Sequence, residues 1–258
     1  MDVFIYASRA QAIDALAEDL AGVVKAQPNA VLGLPTGNTY TEVYQALKAF
    51  QPLDFSRVQT FNLDEYTCIA PHHPGSFKTY MTKHLFDWVN LPKTHRHFPP
   101  TEGDPSVYDA KIAYYGGLDV LYLGLGQNGH IAFNEPGTPF ETKTHQVTLT
   151  EDTREANQGA FDSLDDVPTQ AVTMGISTIL SARRLVLAAF GEEKAEAVAA
   201  MLQGPLTNVH PASILNQHPC VTIVLDQEAA RYVTEEAYGS EISSSSESNR
   251  RRHRITWL

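Results

Sequence analysis

His130 and Glu135 lie five residues apart, just beyond a short apolar run, in the segment 121–140 with the sequence LYLGLGQNGHIAFNEPGTPF. The apolar run predicts a buried strand, and the glycines after it allow the backbone to turn sharply and approach a ligand. With Asn128 beside them, the imidazole and the carboxylate could serve acid/base chemistry at the edge of a sheet. The same spacing also fits a loop with glycine turns and a histidine that is a satisfied polar group.

A pair of carboxylates, Asp64 and Glu65, follows the strand candidate Val58–Leu63. This strand would deliver both residues at its carboxyl end. Adjacent side chains of an extended chain point in different directions, so only one of the two needs to face a site. Helix capping or a surface ion pair is the other role open to them.

A third segment, Thr36, Gly37 and Asn38, joins the predicted strand Ala30–Leu34 to an amphipathic helix. Free N–H groups and the helix dipole favour a phosphate at such a junction. These residue types also serve as ordinary helix N-caps, which leaves both interpretations open.

Lys194 lies in the first turn of a later predicted helix, where a cation opposes the helix dipole. One interpretation is a surface lysine balanced by Glu192 and Glu193. The other is a lysine held at the helix start because an anion binds there.

Strands and helices alternate along the chain with short connections, a pattern typical of a mostly parallel sheet with helices on both faces. We therefore predict an α/β fold, a single-domain three-layer sandwich that spans residues 1–238. Ligands bind beyond the carboxyl ends of the strands in such sheets, so Asp64, the His130 loop, the Thr36–Asn38 loop and Lys194 should meet at one edge. The polar region that follows the His130 loop is a candidate for a mobile lid.

The end of the chain has a different composition. A closing helix is predicted at Gln227–Tyr238, and residues 239–258 then read GSEISSSSESNRRRHRITWL. This tail has no apolar face, so we expect it to be disordered or a non-native appendage.

Composition narrows the possible functions. The formal net charge of −11 argues against general binding to nucleic acid or to an anionic membrane. Cys68 and Cys220 are far apart and outside any CxxC pattern, which indicates a reducing, cytoplasmic compartment. No apolar run approaches the length of a bilayer span. The histidines in polar loops lack metal-ligand spacing, so no metal is expected.

Four stretches together resemble the glucosamine-6-phosphate deaminases: LGLPTGNTYTEVYQAL, TFNLDEYTCIAPHHPGSF, GLGQNGHIAFNEPGTPF and VTMGISTIL. The resemblance runs in order from about Val3 to Tyr238, and NLDEY and GQNGHIAFNEP are its most specific motifs. It implies a sugar-phosphate isomerase-like α/β fold. The related 6-phosphogluconolactonases carry a similar GxGxDGH element, but here IAFNEPG follows the histidine and brings Glu135, which favours the deaminase.

The resemblance implies that glucosamine 6-phosphate and water give fructose 6-phosphate and ammonia, with no cofactor and no metal. In the family, the histidine that matches His130 is the base for ring opening. The residues that match Glu135 and Asn128 support and orient it. The position of Asp64 is the base that moves a proton from C2 to C1. Some members have Asp where this chain has Asn128, which can orient by hydrogen bonds but cannot share a proton.

The resemblance also assigns phosphate binding to the positions of Thr36, Gly37, Asn38 and Lys194. In many members a basic residue follows the TRxAN segment and assists them. Here that segment is followed by Gln-Gly-Ala, so phosphate binding is expected to depend on Lys194 and Arg154 instead.

Two other functions fit parts of the sequence. A 6-phosphogluconolactonase-type hydrolase would use the histidine as a base but has no need of Asp64 and Glu135. A non-catalytic sugar-phosphate sensor would bind without turnover, although the chain begins directly in a strand with no room for a DNA-binding helix-turn-helix. Family members that are activated by N-acetylglucosamine 6-phosphate have basic residues in the lid, where this chain has His145 and Val147. The absence of these basic residues favours a monomer over a homo-oligomer.

Overall fold

A computed structural model describes residues 1–70, 72–234 and 254–258 and confirms the α/β prediction. Its strands are β1 (Asp2–Tyr6), β2 (Val31–Leu34), β3 (Gln59–Asn62), β4 (Asp64–Tyr66), β5 (Arg96–His97), β6 (Val120–Gly124), β7 (His145–Thr148), β8 (Gln170–Thr173), β9 (Arg184–Ala189), β10 (Val221–Asp226) and β11 (Arg254–Trp257). Its α-helices are α1 (Arg9–Ala26), α2 (Asn38–Ala46), α3 (Phe77–Met81), α4 (Ser106–Tyr114), α5 (Glu151–Asn157), α6 (Ile176–Leu180) and α7 (Ala195–Gln203).

The main sheet has eight strands within the described residues, in the order β11-β1-β10-β9-β6-β2-β3-β5. Every neighbouring pair in it is parallel. Parallel neighbours share the direction of their carboxyl ends, so the loops that leave β2, β3, β6 and β9 all open on one edge.

Helices cover both faces of this sheet, and alternate strand residues separate the two cores. Leu121 and Leu123 of β6 pack with α4, α6 and α7 in one cluster. Val120 and Tyr122 of the same strand pack with α1 and α2 in the other. The period of two follows from the pleat, and it produces the predicted three-layer sandwich.

A smaller antiparallel sheet, in the order β4-β8-β7, lies beside the main one. The chain leaves β3 at Asn62 and enters β4 at Asp64, so only Leu63 separates the two sheets. The Leu63 carbonyl accepts a hydrogen bond from the Met174 amide at 2.7 Å, which extends the pairing of β4 with β8. Asp64 is therefore held at the junction of two sheets rather than on a free loop.

Two segments near the ends of the sheet differ from what their sequence patterns indicate. The stretch Pro92–Gly103 has no periodicity that would predict a strand, yet it contains the two-residue edge strand β5. The predicted closing helix is absent from the described part of its range, because residues 227–232 form turns and 233–234 are irregular. A two-residue strand is too short to produce a pattern, and turns can share the composition of a helix.

The prediction of a disordered tail was wrong for residues 254–258, and residues 239–253 lie outside the described residues. β11 pairs in parallel with β1, with Asp2 opposite Arg254 and Ile5 opposite Trp257. Isoleucine, threonine and tryptophan all favour strands, and the outer edge of β1 offers unpaired backbone groups. Four residues were too few to stand out beside the serine and arginine runs.

None of the helices in the described ranges combines the length and the apolar character needed to cross a bilayer.

A chain ending at residue 253 should lose the hydrogen bonds between β11 and β1. We expect its free energy of unfolding to fall by about 1–3 kcal/mol, because each net backbone hydrogen bond contributes roughly 1 kcal/mol. Urea denaturation of both chains, with the dependence of the unfolding free energy on urea concentration fitted separately for each, checks this. An unchanged midpoint would show that β11 adds nothing to the sheet.

Candidate active site

A cavity of about 380 Å³ opens at the carboxyl edge of the main sheet. Six of the eight residues predicted for the site line it: Thr36, Gly37, Asp64, Asn128, His130 and Lys194. These residues follow β2, β3, β6 and β9 in the chain. They lie together because the carboxyl ends of parallel strands share one edge of the sheet.

The other two predicted residues lie outside the cavity wall. Asn38 is exposed and is the first residue of α2, so its side chain is not among those facing the cavity. Glu135 lies behind His130 and reaches the site through contacts with its neighbours. A prediction from loop position alone could not separate a wall residue from the residue next to it.

The carboxyl group of Asp64 is buried, with 8% of the residue exposed. Burial, and to a smaller extent the charge of the neighbouring Glu65, raise the pKa of Asp64 to about 8. No hydrogen bond from the described residues offsets this, and the side chain faces the cavity. A carboxylate in such surroundings becomes a strong base once it is ionised.

Glu65 has the capping role that the sequence left open. Its carboxylate accepts hydrogen bonds from the Phe77 and Lys78 amides at 3.0 and 2.9 Å, at the start of α3. Burial raises the pKa of Glu65, while these amide donors act in the opposite direction. Since Glu65 is committed to the helix, Asp64 is the member of the pair that faces the cavity.

The imidazole of His130 is placed by Asn128 and Glu135. The Asn128 side chain accepts from the His130 amide at 3.1 Å and donates to Glu135 Oε2 at 2.8 Å. His130 Nδ1 lies 3.7 Å from the same Oε2, within ion-pair range but beyond hydrogen-bond length. Asn128 therefore links the His130 backbone to the Glu135 carboxylate, and it needs no proton transfer to do so.

Glycine makes room for this arrangement. A Cβ at Gly126 would lie 2.4 Å from the His130 ring, so any larger residue would displace the imidazole. Gly129 has φ +84° and a Cβ there would meet the His210 ring at 2.2 Å. The loop backbone thus requires glycine at both positions.

Glu135 has a second set of contacts that the sequence did not indicate. Thr153, a buried residue of α5, donates from its hydroxyl to Glu135 Oε1 at 2.5 Å. Burial alone would raise the pKa of Glu135, but the proximity and charge of His130, together with hydrogen bonds from Thr153 and Asn128, lower it to about 2. Glu135 is therefore an anion throughout the neutral range.

The loop at the opposite wall is fixed by Tyr80, which sequence reasoning also missed. Gly37 has φ +98° and precedes α2, whose first amides have no helical partners. The Tyr80 hydroxyl donates to the Gly37 carbonyl at 2.8 Å and contacts Thr41 Oγ1 at the same distance. No pattern marked Tyr80, because aromatic residues of that region were expected to be core.

Lys194 supplies a cation to the lining of the cavity. It ends a short 3₁₀ turn and directly precedes α7. Burial lowers its pKa, while the charge of Glu193 raises it. Within the described residues, no hydrogen bond or ion pair engages its ammonium group, which leaves it available to an anion in the cavity.

Arg154 does not share this task, contrary to the expectation. Its guanidinium donates to the Val167 carbonyl at 3.2 Å and to the Leu164 carbonyl at 2.6 Å. It therefore fastens the segment after α5 and does not point at the cavity, whose lining excludes it.

The predicted lid region forms part of the cavity wall. Four residues of α5 line it: Asp152, Thr153, Ala156 and Asn157. In the described part of the chain, no group of three or more histidine, cysteine or acidic side chains is arranged to hold a metal.

Replacing Asp64 with Asn should stabilise the protein in a pH-dependent way. The pKa of about 8 in the native state lies above the usual 3.8, so the native state binds more protons than the unfolded chain between these values. The ionised carboxylate therefore costs stability that grows as the pH rises from about 4 to about 8 and is fully present above it.

We expect the advantage of Asp64→Asn over the wild type to increase by about 2–5 kcal/mol across that window. Urea denaturation of both proteins at pH 4.5, 6.5 and 8.5 measures it. An advantage that is constant with pH would contradict the burial of Asp64.

Comparison with known proteins identifies the family of this chain. The sequence model of a family described as glucosamine-6-phosphate isomerases/6-phosphogluconolactonase matches residues 7–224. A glucosamine-6-phosphate deaminase of Shouchella clausii is 46% identical over 223 residues, which cover 83% of this chain and 90% of the relative. One of Exiguobacterium sibiricum is 46% identical over 219 residues, covering 83% and 86%.

Solved structures show the same relationship. A monomeric glucosamine-6-phosphate deaminase superposes with a TM-score of 0.85 at 39% identity, covering 90% of this chain and 99% of its own. The 6-phosphogluconolactonase from Trypanosoma cruzi, at 19% identity and a TM-score of 0.73 over 90% of this chain and 97% of its own, shares the fold. The chain therefore belongs to the glucosamine-6-phosphate isomerase/6-phosphogluconolactonase family.

Proposed function

We propose that this protein is a glucosamine-6-phosphate deaminase, which converts glucosamine 6-phosphate and water into fructose 6-phosphate and ammonia. One observation carries the proposal: a buried carboxylate, Asp64, and a carboxylate-supported imidazole, His130, face the same cavity. The reaction needs two separate proton transfers, and the cavity offers one group for each. The relatives named as deaminases support the same substrate.

Ring opening is the task of His130. The imidazole takes the proton of the anomeric hydroxyl and returns a proton to the ring oxygen, which breaks the C1–O5 bond and gives the open-chain aldehyde. Glu135, whose pKa is about 2, stays anionic and stabilises the imidazolium that forms between these steps. Asn128 connects the His130 backbone amide and the Glu135 carboxylate by its two hydrogen bonds.

Asp64 performs the isomerisation. Its carboxylate removes the C2 proton to give an enolamine and returns the proton to C1, which leaves an imine at C2. Addition of water to this imine and loss of ammonia give the ketose. Removing a weakly acidic C–H proton needs a strong base, and the raised pKa of Asp64 meets that need.

The phosphate is bound at the wall formed by the 36–37 loop and Lys194. Backbone amides at the start of α2 and the lysine ammonium provide donors and positive charge in an otherwise acidic protein. Asn38 begins the helix, so its contribution is its backbone amide and not its side chain. Tyr80 keeps the Gly37 carbonyl turned away from the phosphate.

The lactonase alternative lacks support. Ester hydrolysis requires no base for a C–H proton, and the solved lactonase cited above is similar in fold alone at 19% identity. A non-catalytic sensor would have no use for a carboxylate buried at a stability cost. Both alternatives leave Asp64 unexplained.

We infer a monomer in the cytoplasm. The similarity to a monomeric deaminase supports the first inference. Free, exposed Cys68 and Cys220 and a phosphorylated sugar substrate support the second.

Ammonia release from glucosamine 6-phosphate should depend on Asp64 and His130. We expect Asp64→Asn and His130→Gln each to lower kcat by about 10²–10⁴-fold, the usual contribution of a positioned general acid or base. Asp64→Asn should still open the ring, because the two proton transfers are separate. A coupled assay for ammonia measures turnover, and NMR of the sugar anomers measures ring opening.

Exposed His72, replaced by Gln, is the matched control and should keep full turnover. Full activity of Asp64→Asn would remove that residue from the mechanism. Lactone hydrolysis by the wild type without ammonia release would replace the proposed reaction.

Replacing Lys194 with Ala should weaken binding of the phosphate. We expect KM for glucosamine 6-phosphate to rise about 10- to 100-fold with a smaller effect on kcat, since a hydrogen bond to a charged group contributes about 1.5–3 kcal/mol. Steady-state kinetics measures both constants, and exposed Lys25→Ala is the control. An unchanged KM would show that Lys194 does not bind the phosphate and that other residues of the cavity do.

A further inference from the structure

We propose that Thr153 is a positioning residue that couples the docking of lid helix α5 to the orientation of the Glu135 carboxylate. The inference deepens the proposed function, on which it rests, because it assigns a role at the same site to a residue in the lid.

The first observation is a division of contacts at the Glu135 carboxylate. Oε2 faces the catalytic loop, where it accepts from Asn128 and lies near His130 Nδ1. Oε1 faces the lid, where it accepts from the Thr153 hydroxyl. Two contacts on opposite oxygens fix the rotation of a carboxylate, which one contact alone would leave free.

The second observation is a chain of hydroxyl groups at the start of α5. Thr150 is the N-cap of the helix, and its Oγ1 accepts from the Thr153 amide at 3.3 Å. The Thr150 hydroxyl donates to Thr153 Oγ1 at 3.0 Å, and Thr153 in turn donates to Glu135. The donor of Thr153 therefore points at Glu135 because its acceptor side is occupied by the helix cap.

Burial makes this contact significant. Thr153 is 5% exposed, and the Glu135 side chain is 15% exposed. A hydrogen bond to a charged group is strong where little water can replace it. If α5 moved away, Oε1 would lose this donor, and the carboxylate could turn from His130. Substrate that holds the lid closed would thereby also set the support for the imidazole.

The surrounding charges identify a readout. His130 is the titratable group nearest to Glu135, Asp152 adjoins Thr153 on α5, and Asp64 and Lys194 line the same cavity. Loss of the Thr153 hydroxyl removes the hydrogen-bond donor at Oε1 of the Glu135 anion. The Glu135 carboxyl should then bind a proton at higher pH.

The test replaces Thr153 with Val, which keeps the branched shape and removes the hydroxyl. Carbon-13 NMR of glutamate carboxyl groups, with the Glu135 signal assigned from Glu135→Gln, follows the titration directly. We expect the pKa of Glu135 to rise by about one unit or more in Thr153→Val, and kcat to fall about 10-fold with a smaller change in KM.

Thr153→Ser restores the hydroxyl and should restore both values. Thr82→Val is the matched control, because its hydroxyl donates to the Lys78 carbonyl within a helical segment away from the cavity. Should the valine variant not fold, Thr153→Ala removes the same hydroxyl with less bulk.

An unshifted Glu135 titration in the folded Val or Ala variant would overturn the proposal, as would failure of serine to restore it. The titration needs no substrate. A wild type that releases no ammonia would therefore refute the proposed function, while the titration would still decide the role of Thr153.

Discussion

The parallel pairing of β3, β2, β6 and β9 is the constraint on which the site depends. These strands are neighbours in the order β9-β6-β2-β3, so the loops at their carboxyl ends are brought side by side although they are far apart in sequence. The sheet itself carries no chemistry. It fixes the distances between a buried carboxylate, an imidazole and a lysine, and the packed cores on both faces keep those distances constant.

Two carboxylates of this site have opposite electrostatic surroundings. Asp64 is buried without compensating donors and its pKa rises to about 8, whereas Glu135 is held by His130, Thr153 and Asn128 and its pKa falls to about 2. Environments that separate the pKa values of like groups assign them different tasks. One becomes a base that can take a proton from carbon, and the other a permanent anion that supports an imidazole.

Sequence reasoning found the residues that follow strands, because strand periodicity and the rule for parallel sheets together locate them. Asp64 and His130 were predicted in this way. Thr153 and Tyr80 were not, since each acts through side-chain hydrogen bonds that form only when distant segments fold together. The sequence limited the role of Glu65 to a helix cap or an ion pair. Only the position of α3 in the fold shows that it is a cap. The tail strand β11 was missed because four strand-forming residues follow a long polar run.

The position of β1 has a consequence for how the chain reaches its fold. This strand is the first in sequence, yet its two neighbours in the described sheet are β10 and β11, and Asp2 pairs with Thr222 and with Arg254. During synthesis the β1 segment therefore has no partner in the described sheet until β10 has been made. By the Asp2–Thr222 pairing, this is about 220 residues later. Such long-range pairing slows folding and leaves apolar side chains and unpaired strand edges exposed in the interval. The nascent protein would be most vulnerable to self-association before its β10 segment emerges.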